Sequence, residues 1–75
     1  MSIKRSLAKL KIGEKGVIVG FTDDILSLKF LEMGLLPGTE VVLCQVAPMG
    51  DPIAIKLAQY ILAVRLDEAE TVLVI

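Results

Sequence analysis

Apolar positions along this chain fall into short runs, each closed by turn residues, which is the pattern of small strands rather than long helices. Gly16-Val17-Ile18-Val19-Gly20-Phe21 is rich in β-branched residues and bracketed by glycine, and it predicts a first strand after a Gly13-Glu14-Lys15-Gly16 turn. Upstream, Ser6 is placed to cap a single helical turn over Leu7 to Leu10. Thr39 to Val46 predicts a second strand, and Ala47-Pro48-Met49-Gly50-Asp51-Pro52 the loop after it. Ile53-Ala54-Ile55-Lys56-Leu57 alternates as a half-buried third strand should. Tyr60 to Leu66 follows after only two residues, so the pair reads as a hairpin. Asp67-Glu68-Ala69-Glu70 predicts one helical turn, and Thr71 to Ile75 a closing strand.

One segment departs from this rhythm. Asp23 and Asp24 offer N-cap oxygens, and negative charge where a helix dipole is positive. A helix from there to about Met33 stops at Gly34, a residue suited to the left-handed C′ position. Leu35-Leu36-Pro37-Gly38 then predicts a turn, with proline and glycine where type II geometry wants them. At ~100° per residue, Leu26, Phe30 and Met33 share one face of the helix, while Leu28 and Leu31 form a second apolar stripe nearly opposite. A short helix on a small barrel buries one face against its own core. The other is covered by the N-terminal segment or offered to a partner. Together the elements predict a mainly β domain spanning 1–75: a small, partly open barrel of about five strands with one short α-helix between strands 1 and 2.

Composition narrows the function. A chain of 75 residues supports one domain, and a domain this small buries only about 60% of the surface its unfolded chain exposes. No intramolecular disulfide helps it, because Cys44 is the sole cysteine, which points to a reducing compartment. The basic start of the chain lacks the long apolar stretch of a secretory signal, and no apolar run reaches the roughly 18 residues of a membrane span. The expectation is a soluble cytoplasmic protein. Eight basic residues against nine acidic ones give a net charge of −1, without the cationic surplus that nucleic-acid binding needs, although five of the eight cations fall in the first 15 residues. Hydrophobic residues make up 55% of the chain, above the ~45–50% of ordinary soluble domains, so some apolar side chain must reach the surface.

Candidate chemistry is sparse. There is no histidine, which removes the commonest general acid–base and the commonest transition-metal ligand. Cys44 sits mid-strand with no CxxC partner and reads as packing. The acidic clusters, Asp23-Asp24 and Asp67-Glu68-Ala69-Glu70, lack the spacing of a calcium loop and read as caps and solvated turns. Gly13-Glu14-Lys15-Gly16 carries neither phosphate-loop fingerprint and precedes a strand rather than a helix. These readings exclude an enzyme and predict no resident cofactor or metal. Met49 is the remaining oddity, a flexible apolar side chain at the tip of a turn where polar residues are usual.

The stretch Leu31-Glu32-Met33-Gly34-Leu35-Leu36-Pro37-Gly38-Thr39-Glu40-Val41, with Ala47-Pro48-Met49-Gly50-Asp51-Pro52-Ile53 after it, resembles the FeoA family, small accessory proteins of bacterial ferrous-iron uptake. The likeness runs from Gly13 to the C-terminal strand. It implies an SH3-like barrel, a cytoplasmic location, and docking onto the cytoplasmic part of a large GTP-binding iron transporter at the membrane. Similar domains end the iron- and manganese-dependent repressors. Where family members often carry charge, this chain has Leu28, Val42 and Val46, implying a more apolar surface suited to a partner or to self-association.

The sequence therefore predicts a protein that acts by protein–protein contact, with Leu28, Leu35, Met49 and Tyr60 as contact residues. Two other readings stand beside it. One is a metal-sensing module binding through Asp51, Glu68 and Glu70; the other is a nucleic-acid-binding barrel, which three aromatic residues support poorly.

Overall fold

The computed structural model describes residues 4–75. Its elements run β1 (Arg5–Ser6), a 3₁₀ turn (Leu7–Lys9), β2 (Lys15–Phe21), α1 (Asp24–Glu32), β3 (Glu40–Val46), β4 (Ile53–Lys56), β5 (Ile61–Val64), α2 (Leu66–Ala69) and β6 (Val72–Val74). The strands form one antiparallel sheet in the order β1-β6-β2-β3-β4-β5. Six strands replace the expected five. The additional one, β1, is two residues long, too short for any periodicity to reveal, and exists because Arg5 and Ser6 pair with Val74 and Leu73.

Strand β2 serves both halves of the barrel. Lys15 to Val17 pair with β3, whereas Ile18 to Phe21 pair with β6 through a register shift between Ile18 and Gly20. A shift of this kind bends a strand and strengthens its twist, which is how a small sheet curls over a core. β2 and β6 approach closely at Gly16, where a β-carbon would stand 3.2 Å from Cβ of Val74. A second irregularity between Leu43 and Gln45 bends β3 against β4. The hairpin from β4 to β5 closes as expected around Ala58-Gln59, with the Leu57 N–H donating to the Tyr60 carbonyl at 2.8 Å.

Alternation decides what fills the barrel. Ile18, Val41, Leu43, Ile53, Ile55, Val64, Val72 and Val74 point inward from the strands, and Leu7, Leu10, Phe30, Leu35 and Ala69 seal the core. Ser6 does not cap the turn after it. It sits in β1, and its buried hydroxyl has no hydrogen-bond partner among the described residues. Val46, expected at the surface, packs against the core instead, because the β3 irregularity turns it inward.

Helix α1 is fastened at both ends. Oδ1 of Asp23 accepts from the amides of Ile25 and Leu26, each at 2.9 Å, satisfying two of the donors a helix start leaves open. At the other end Gly34 takes φ +93°, its amide donates to the Leu31 carbonyl, and the Leu35 amide reaches back to the Phe30 carbonyl at 2.9 Å. That pair of bonds is a Schellman motif, whose usual companion is apolar contact between the residue after the glycine and the last helical turn. It explains a correction. Leu35 was expected to face a partner, yet it is wholly buried, drawn into the core beside Phe30 by the turn geometry. Leu36-Pro37-Gly38-Thr39 then reverses the chain, closed by the Thr39 amide on the Leu36 carbonyl.

Candidate functional site

The two stripes of α1 have separate fates. Phe30 is fully buried and stacks on Phe21 with ring centroids 6.0 Å apart, while Leu26 and Met33 pack against the same core. On the outward side Leu28 is 64% exposed and Leu31 is partly exposed. Ile25, one turn before Leu28, is 82% exposed and extends the strip. Ile25 lies outside both stripes expected from the sequence, Leu26, Phe30 and Met33 on one face and Leu28 and Leu31 on the other. The three-residue step from Ile25 to Leu28 to Leu31 was the available signal.

Tyr60 joins this region through its hydroxyl, which donates to the Met33 carbonyl at 2.7 Å. That carbonyl is one of those a helix end leaves open, so Tyr60 locks the start of β5 to the end of α1. Its ring remains exposed, next to Ile61, another exposed apolar side chain. Leu36, half-exposed just past the Schellman turn, adds to the apolar surface that follows the helix. Met49 lies elsewhere. It is 92% exposed in the β3–β4 loop, at the opposite end of the β4–β5 ribbon from Tyr60. Of the four expected contact residues, then, Leu28 and Tyr60 belong to the α1 region, Met49 stands apart, and Leu35 is core.

Polar groups around the strip hold structure together. Nζ of Lys29 meets Oε2 of Glu68 at 2.8 Å and ties α1 to α2. Oδ1 of Asp51 accepts from the Leu66 amide at 3.0 Å, capping α2 from the β3–β4 loop. Two of the three carboxylates considered for metal sensing are thus engaged, and no cluster of three metal-capable side chains occurs among the described residues. Cys44 is half-buried, with its thiol donating to the Ala54 carbonyl at 3.3 Å, in keeping with a packing role. Glu14, hydrogen-bonded by the Arg5 guanidinium and by the Lys11 amide, has its carboxyl held below the usual glutamate range, the Arg5 bond being the larger cause. An open hollow of about 350 Å³ is bordered by Lys15, Glu40, Val42 and Lys56. No helix among the described residues is long and apolar enough to cross a membrane.

Compared with known families, residues 5–75 match the FeoA domain. The chain belongs to the FeoA domain family. FeoA proteins are non-catalytic accessory proteins of ferrous-iron transport, and the SH3-like barrel is their fold. The structure is similar to that of an FeoA-like protein from Clostridium acetobutylicum, with 36% identity and a TM-score of 0.92, covering 100% of this chain and 88% of that one. It is also similar to FeoA from Stenotrophomonas maltophilia, solved in complex with zinc, with 25% identity and a TM-score of 0.81 over 93% of this chain and 88% of that one. That protein is described as a prokaryotic SH3 domain protein and a candidate activating factor for ferrous-iron transport. A manganese-dependent transcriptional repressor, at 13% identity and a TM-score of 0.87 over 100% of this chain and 42% of that one, shares the FeoA fold alone. No curated protein matches the chain in sequence.

Proposed function

We propose that this FeoA-family chain is a cytoplasmic accessory and regulatory protein of ferrous-iron uptake that docks onto the cytoplasmic part of a GTP-binding iron transporter. The observation that carries the reading is the outward strip of α1, where Ile25 and Leu28 stand exposed on a helix whose other face already fills the core. Exposed leucine and isoleucine on a short, doubly capped helix form a preorganised apolar ridge, and ridges of this kind are laid into grooves of partner proteins. Tyr60 stands at the end of the ridge and adds an aromatic anchor of the type enriched in binding hot spots.

The test is a binding titration of Leu28→Glu against the cytoplasmic part of the transporter, run beside thermal melting of the same variant. A central interface leucine replaced by a carboxylate should weaken binding at least tenfold, about 1.4 kcal/mol. Melting should be unchanged, because the side chain is mostly in water already. Unchanged binding with unchanged melting removes α1 from the interface and leaves the Met49 loop as the docking surface.

A further inference from the structure

The charge of this protein is distributed unevenly. Residues 4–15 hold Lys4, Arg5, Lys9, Lys11 and Lys15 against Glu14 alone, a net of +4, and the remaining residues hold three cations and eight carboxylates, a net of −5, which together make the overall −1. Two of the five cations are spent internally, Arg5 on Glu14 and Lys15 on Glu40. Lys4, Lys9 and Lys11 are exposed and have no carboxylate within ion-pair distance among the described residues. Between Lys11 and the left-handed Gly13 stands Ile12, 66% exposed at the apex of the turn that leads into β2. Leu10 beneath it is buried, and the Gly13 amide is pinned to the Leu43 carbonyl. The turn is therefore a fixed projection, anchored to the barrel, that presents lysine, lysine and isoleucine outward within four residues.

We propose that the Lys9–Gly13 turn is a contact for the surface of an anionic lipid bilayer, with the lysines among the headgroups and Ile12 at the boundary of the acyl region. Basic side chains beside an exposed apolar one are what such an interface takes up. A nucleic-acid backbone would also accept the lysines. It has no use for an isoleucine at their centre, and residues 4–15 contain no aromatic side chain to stack on a base. The contact is weak by construction, since α2, with Asp67 in its first turn and Glu70 just after it, packs against the 3₁₀ turn and offsets part of the field. It therefore serves to orient and concentrate the protein at an anionic bilayer rather than to anchor it permanently. This surface is independent of the α1 ridge, so it stands or falls separately from the docking reading.

Sedimentation of the full chain with vesicles, without transporter, tests it. Vesicles of phosphatidylglycerol mixed with phosphatidylcholine should bind the protein at low salt, vesicles of phosphatidylcholine alone should not, and binding should fade as salt rises. Each lysine near such a surface is worth roughly fivefold in partitioning, about 1 kcal/mol, so the double variant Lys9→Gln/Lys11→Gln should partition roughly 25-fold less well. Ile12→Gln should weaken binding several-fold at every salt concentration, and Lys56→Gln, an exposed lysine on β4, should change little. Equal melting temperatures establish that the exposed substitutions leave the fold intact. The proposal is overturned if anionic vesicles bind no better than neutral ones or if the double variant partitions like wild type. It is equally overturned if inorganic phosphate at matched ionic strength displaces the protein, which marks a free-phosphate site, or if a DNA duplex binds where vesicles do not.

Discussion

The inward and outward faces of α1 are built from nearly the same residue types, and they do opposite things. Leu26, Phe30 and Met33 close the barrel, whereas Ile25, Leu28 and Leu31, equally apolar, face water. Hydrophobicity does not separate the two faces. The contacts that tie α1 to other elements do: the Tyr60 hydroxyl on the Met33 carbonyl and the Lys29–Glu68 ion pair join the helix to the start of β5 and to α2 with its inner stripe toward the core. On a helix this apolar, rotation is a structural decision taken by polar contacts. The exposed stripe is then a surface the fold has left over, which is the condition for a partner to use it.

This contrast can be broken most forcefully from the inside. Phe30→Ala removes a fully buried ring and its stacking on Phe21, and should cost about 3–5 kcal/mol, read as a fall in the urea midpoint. A loss comparable to that of a surface substitution would show that α1 only rests on the barrel. Next in size is the end anchor. Gly34→Val forces a branched side chain onto a φ of +93° and drives its β-carbon into the Tyr60 hydroxyl, so a loss of roughly 2–3 kcal/mol is expected from strain plus the broken bond. Tyr60→Phe alone, which removes the bond to Met33 without adding bulk, should lose about 0.5–1 kcal/mol in the same denaturation. In the Tyr60→Phe background the valine should cost less than in wild type, because the hydroxyl it collides with is gone, and strictly additive losses would place the Gly34 constraint in the backbone alone. The smallest effect on stability belongs to the outward face, where Leu28→Glu should shift unfolding by less than about 0.5 kcal/mol. A collapse in the melting temperature would mean that the outward stripe is core in solution and that the two faces are not distinct.

By itself the sequence determined the class of the protein and most of its elements. Short runs bounded by glycine, proline and aspartate predicted β2 to β6 and both helical segments, because turn residues and the two-residue period are local properties of the chain. The absence of histidine and the lone cysteine set aside enzyme chemistry, and the motif around Gly34 and Pro37 pointed to the FeoA family that the comparison with known families established. Tertiary structure alone decided the rest. β1 is a strand only because Val74 and Leu73 are there to pair with it. Leu35 reads as a residue of an exposed turn until the Schellman bonds fold it back on Phe30, and Val46 reads as surface until β3 bends. Asp51 caps a helix 15 residues away, a partnership that no local pattern encodes. For β1, Val46 and Asp51 the deciding contact joins residues distant in sequence, so that information lies in the closure of the barrel; for Leu35 it lies in a five-residue turn whose apolar contact the burial of Phe30 completes.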